Sequence, residues 1–131
     1  MYLVDTSVLT RLRKPGVAAT LLELEDVRYS PMSGLEYRYS ASNEAEWDVL
    51  SEVLNGFTRQ PLRPETFERA DAVQRLLAGN ALKGRKPPDL IIAAQAELAE
   101  LTVVHYDRDY DHIASVTGQR TLWIAPPGSI D

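Results

Sequence analysis

Asp5, Glu36, Asp89, Asp107 and Asp109 are the side chains in this sequence whose types and placement could do chemistry together. Asp5 ends the apolar run "YLV", and Glu36 falls shortly after "VRYS". Asp89 opens the helical stretch "DLIIAAQAELAEL", and Asp107 and Asp109 follow "TVVHY". Carboxylates gathered at one place repel one another, and each resists ionising. A divalent cation removes that conflict. The chain has no cysteine, so an oxygen-only ligand set would suit a hard ion such as Mg²⁺ or Mn²⁺, one or two per site. Such ions activate water and stabilise in-line displacement at phosphorus.

Each acid also has an ordinary structural role open to it. Asp5 is a favoured type for capping the helix that follows it. Ser33 and Glu36 have the S-x-x-E spacing of a capping box. Asp89 follows Pro87-Pro88 at a helix start, where an acid complements the helix dipole. Asp107 suits a turn, and Asp109 suits a helix N-cap. Taken together, these roles would make every acid at the sheet edge incidental. His105 reads as a packed or hydrogen-bonded strand residue and His112 as a surface helix residue; neither is a leading ligand or base.

The elements that must position these acids follow from periodicity and breakers. Strands are expected at 2–5, 27–30, 102–106 and 121–125, with a short extended segment at 59–64. Helices are expected after Thr6, at 17–25, 33–41 and 44–54, from Pro64, and at 89–101 and 109–117. Phe67, Ala70, Val73 and Leu77 are expected on one side of the helix from Pro64, and Leu90, Ala94, Leu98 and Leu101 on one side of the next. Strands alternating with helices imply an α/β fold, a mostly parallel central sheet with helices on both faces. Such sheets bind ligands beyond the carboxyl ends of their strands.

A length of 131 residues suits one domain spanning 1–131. No signal peptide and no run of about 20 apolar residues is visible, so a cytoplasmic protein with no membrane role is expected. The net charge of −5 argues against nucleic acid unless several acids are neutralised by metal. Two basic clusters stand out against it, Arg11, Arg13 and Lys14, and Lys83, Arg85 and Lys86. Each is either a solvated loop or a place to hold flanking phosphates.

The order of motifs resembles that of PIN-domain nucleases. "YLVDTSVL" is similar to their opening strand ending in Asp-x-Ser, and "SGLEY" to their second acidic element. "PPDLIIAAQA" resembles their third, an Asp beginning an alanine-rich helix, and "VVHYDRDYDHIA" their fourth. The likeness runs from residue 2 to about 125, and the length resembles that of VapC-type toxins of bacterial toxin–antitoxin pairs. It implies a PIN-like, Rossmann-like fold and a Mg²⁺- or Mn²⁺-dependent endoribonuclease. Asp5, Glu36, Asp89 and Asp107 would form the catalytic, metal-binding site. Ser7 and Thr6 would support it by hydrogen bonding, and Asp109 would stand behind it or reach the ion. A VapB-type antitoxin would occupy the groove, and homodimers or toxin–antitoxin hetero-oligomers would form. His105 departs from the pattern, which has Thr or Ser at that place; either a site hydroxyl is lost or the imidazole replaces it.

Two other readings compete. In a haloacid-dehalogenase-like phosphatase Asp5 would be the nucleophile, but Ser7 stands where a second Asp belongs. A non-catalytic metal- or RNA-binding module of receiver type would want adjacent acids after the first strand, which are absent.

Overall fold

The computed structural model describes residues 1–82 and 85–131. Among the described residues, five short strands form one all-parallel sheet in the order β3-β2-β1-β4-β5. They are β1 (Tyr2–Val4), β2 (Val27–Tyr29), β3 (Thr58–Arg59), β4 (Thr102–His105) and β5 (Thr121–Trp123). The helices are α1 (Thr6–Leu9), α2 (Val17–Leu22), α3 (Pro31–Arg38), α4 (Glu44–Leu54), α5 (Glu65–Gly79), α6 (Pro87–Leu98) and α7 (Asp109–Thr117).

Alternation along the central strands builds a core on each face. Leu3 and Val103 point to one side and join Val73, Leu77, Leu90, Ile92, Ala96, Tyr110 and Ile113 from α5, α6 and α7. Val4 and Val104 point to the other and join Val8, Leu9, Val17, Leu21 and Leu54 from α1, α2 and α4. Val4 is paired with Val104 in register, so β1 ends one residue short of the end of β4. Asp5 N–H donates to the Val104 carbonyl at 2.8 Å, which fixes the first residue beyond β1 against β4.

Local chemistry sets the boundaries. Ser30 caps α3 by accepting the Met32 N–H at 3.1 Å, and Pro31 supplies the preset φ of a first helical position. The helix therefore starts two residues earlier than the sequence pattern suggests, and Ser33 is buried inside it rather than capping it. The reciprocal capping pair belongs to α4, where Asn43 Oδ1 accepts the Glu46 N–H and Glu46 accepts the Ser42 N–H, both at 2.9 Å. A Cβ on Gly34 would lie 3.1 Å from the Arg38 guanidinium, a tight contact, and 3.4 Å from the Tyr29 ring, an ordinary one. Gly118 ends α7 at φ 71°, a left-handed turn that favours glycine.

Two expected faces are corrected. Phe67 is 50% exposed, and Thr66 takes its place on the buried side of α5 beside Ala70, Val73 and Leu77. Leu98 is also exposed, and Leu101 lies beyond the end of α6. Residues 92–96 of α6 are buried all round, because α6 lies between the sheet, α5 and α7, and small alanines make that fit. The last strand stops at Trp123 rather than at residue 125.

Candidate active site

The carboxyl ends of β1 and β4 and the first turns of α6 and α7 deliver the acids. Asp5 is 2% exposed and does cap α1: its Oδ2 accepts the Ser7 N–H at 3.0 Å and the Ser7 hydroxyl at 2.5 Å. Ser7 Oγ in turn accepts the Tyr106 N–H at 2.9 Å, tying the loop after β4 to the first turn of α1. The other oxygen of Asp5 accepts the buried Tyr110 hydroxyl at 2.6 Å. Capping and a place in the site thus coincide in one side chain.

Glu36 projects from α3 to accept the Thr6 hydroxyl at 2.7 Å. This contact, rather than a capping box with Ser33, holds the glutamate. Asp89 sits in the first turn of α6 and is 5% exposed, and its Oδ2 has no hydrogen-bond partner among the described residues. Burial pushes the Asp89 carboxyl up to about 7, repulsion from Asp5, Asp107 and Asp109 adds to the rise, and Lys86 opposes it. Asp107 Oδ1 accepts the Asp109 N–H at 2.9 Å, so Asp107, not Asp109, satisfies the free amide at the start of α7. Among the described residues, Asp89, Asp107 and Asp109 each place one oxygen within 4.8 Å of the others. Asp5 and Glu36 are not members of that group of three.

His105 answers the departure from the sequence pattern. It is fully buried, with its ring 5.1 Å from that of Tyr110 and 4.9 Å from that of Trp123. Its Nδ1 accepts the Asp107 N–H at 3.2 Å. Burial lowers its pKa, which keeps the imidazole neutral and able to accept. The imidazole thus holds the Asp107 backbone.

Basic side chains divide between those near the acids and those on the rim. Arg85 pairs with Asp109 at 2.8 Å, and Lys86 Nζ lies 3.9 Å from Asp107. Arg11 stacks over the Tyr106 ring and donates to the Ser7 carbonyl at 2.8 Å. Arg13 and Lys14 are exposed beside it. These three and Tyr37 line an open groove of about 790 Å³ with an apolar floor of Leu9, Leu12, Leu50 and Val53. Lys83 lies outside the described residues. His112 is half-buried on α7.

Tyr110 is the functional-looking residue that the acid pattern does not single out. Its position directly after Asp109 in the first turn of α7 is the available signal.

A family model described as "PIN domain" matches residues 2–116. The chain belongs to the PIN-domain family. Ribonuclease VapC51 of Mycobacterium tuberculosis is 46% identical over 133 aligned residues, covering 99% of this chain and 97% of that protein. Ribonuclease VapC18 of the same species is 40% identical, covering 99% of each chain. Among solved structures, VapBC2 from Rickettsia felis bound to a promoter DNA fragment superposes with a TM-score of 0.79 at 16% identity, covering 93% of this chain and 98% of that one. FitAcB from Neisseria gonorrhoeae gives 0.73 at 22% identity, covering 95% and 98%. At these identities the likeness is of fold. Here Asp5 follows β1, Glu36 lies on α3, Asp89 opens α6, and Asp107 and Asp109 stand between β4 and the first turn of α7.

The donor set fits a hard divalent ion. Three carboxylates offer oxygens within one ion's reach, and the buried oxygen of Asp89 lacks the donor it needs.

Proposed function

We propose that this chain is a metal-dependent endoribonuclease toxin that hydrolyses RNA phosphodiester bonds and is neutralised by a VapB-type antitoxin. Its relatives named as VapC ribonucleases support that reading, and so does the placement of acids from four segments at one sheet edge. The observation that carries it is the buried, unpartnered Asp89 oxygen facing like charges. The whole span 1–131 would act as one PIN-like unit in the cytoplasm; among the described residues no helix is long and apolar enough to cross a membrane.

A Mg²⁺ or Mn²⁺ ion bound there supplies the positive charge that phosphodiester hydrolysis needs and makes water a better nucleophile near neutral pH. Asp89 and Asp107 would hold it, with Asp5 facing them across the site. Ser7 and Tyr110 lock Asp5, so its carboxylate is aimed before substrate arrives. Thr6 holds Glu36, which would position the attacking water. Arg11, Arg13 and Lys14 would grip phosphates along the groove, with salt-sensitive affinity. An antitoxin segment lying in that groove would compete for the same surface, which is neutralisation by exclusion. Homodimers or toxin–antitoxin hetero-oligomers are the expected assemblies.

Purified protein incubated with RNA and Mg²⁺ should cleave it. EDTA should stop cleavage, and Asp5→Asn should reduce it by about a hundredfold or more. Equal cleavage in all three conditions would overturn the mechanism. Thr6→Val leaves Glu36 unanchored and is expected to slow cleavage roughly tenfold, as lost supporting contacts do at metal sites. Its melting temperature should stay within a few degrees of the parent, because only a part-buried contact is removed.

A further inference from the structure

We propose that Arg85 is the built-in counter-charge of the acidic site: it withholds Asp109 from the ion and limits the site to one divalent cation. The inference rests on the metal-site reading above and deepens it. Arg85 Nη1 lies 2.8 Å from Asp109 Oδ1, with the two side chains 21% and 22% exposed. Lys86 also opposes the charge of these acids, but it is 66% exposed and 3.9 Å from Asp107, so it acts from solvent and not from within the cluster. The Arg85 Nε is buried with no acceptor among the described residues, so Asp109 is the partner that holds the guanidinium in place.

Asp109 belongs to the group of three acids whose oxygens lie within 4.8 Å of one another. Without Arg85 that group would carry three charges in one small volume, enough to attract a second cation after the first. Arg85 already stands at that place. A guanidinium does not deprotonate in proteins, so its charge is permanent at every working pH. Asp89 is the acid left with a free buried oxygen, and Asp107 is spent on an amide through one oxygen only. These two, with Asp5 opposite, make a one-ion site, and Arg85 takes the electrostatic part of a second ion.

The test is Mn²⁺ binding without RNA, read from the loss of free Mn²⁺ signal in electron paramagnetic resonance. The parent chain, Arg85→Gln, Arg85→Ala and Arg85→Lys are compared after melting curves show each is folded. The parent should bind one ion per chain. Arg85→Gln and Arg85→Ala should bind a second, or bind the first about tenfold tighter, as expected for removing a unit charge a few ångströms away. Arg85→Lys keeps the charge and should bind one ion as the parent does. The inference is overturned if the neutral variants match the parent, or if Arg85→Lys behaves like them. RNA cleavage by the parent with Mn²⁺ and with EDTA runs alongside. Cleavage that needs the ion, with unchanged stoichiometry in the neutral variants, sinks this inference and leaves the nuclease reading intact. No Mn²⁺ binding by any chain, with cleavage surviving EDTA, sinks both.

Discussion

Asp89→Asn should melt at a higher temperature than the parent chain at pH 8 in EDTA, and should cleave RNA at least about a hundredfold more slowly. The two effects have one origin. Asp89 is 5% exposed, one of its oxygens has no donor among the described residues, and burial followed by repulsion from Asp5 raises its carboxyl to about 7. The folded value lies above the ordinary 3.8. The folded chain therefore binds this proton more tightly than the unfolded chain does. Its contribution to stability is full below about pH 4 and is lost as pH rises through 7. The upper limit of that loss is on the order of 4 kcal/mol. Asparagine keeps the shape and cannot ionise, so the variant escapes the loss. Between pH 6.5 and pH 8 the metal-free parent should lose several degrees of melting temperature, and Asp89→Asn should stay flat. Added Mg²⁺ should reverse the ranking, because binding to the folded state alone stabilises the parent. Thermal melts at both pH values, with and without Mg²⁺, check this. An Asp89→Asn variant that melts below the parent at pH 8 in EDTA would contradict it.

Tyr110→Phe is expected to destabilise the chain although it removes a single oxygen. The phenol is fully buried and donates to Asp5 Oδ1 at 2.6 Å. Burial, with Asp5 and Asp89 nearby, holds its pKa well above the usual 10, so it remains a neutral donor throughout the working range. Phenylalanine fills the same space and leaves a buried carboxylate oxygen without that donor. A hydrogen bond to a charged group contributes about 1.5–3 kcal/mol, which corresponds to a fall of roughly 5–10 °C in melting temperature for a chain of this size. Cleavage should drop roughly tenfold or more as Asp5 loses its aim. The effect should shrink in an Asp5→Asn background, because the two residues share one contact. Melting curves of the two single variants and the double variant measure this directly. Additive losses would mean that Tyr110 stabilises the core without positioning Asp5.

The short apolar runs "YLV" and "TVVH", set between helical stretches, made the sheet legible, and the structure places Leu3 and Val4, and Val103 and Val104, on opposite sides, a core on each face. The Pro64 start was readable for a different reason: proline suits the start of a helix and little else in one. The face of α5 was misread at Phe67 because hydrophobicity alone favours the larger side chain, while the geometry of the first turn turns Thr66 inward. The α6 pattern misled because an all-round buried helix has no polar face to set its phase. The acids themselves stood out at predicted strand ends. Their supports did not, because contacts such as Thr6 to Glu36 and Tyr110 to Asp5 join residues 30 and 105 positions apart. No local pattern encodes such pairs. The Arg85–Asp109 pair was hidden likewise: the basic cluster was visible, but not that one member turns toward the acids.

Soaking crystals of the protein in Mn²⁺ and measuring anomalous diffraction tests the central claim most directly. A peak bounded by Asp89 and Asp107, with Asp5 facing it and Arg85 still on Asp109, is the predicted result. No peak among these carboxylates at saturating Mn²⁺, or carboxylates turned away from one another, would contradict the account.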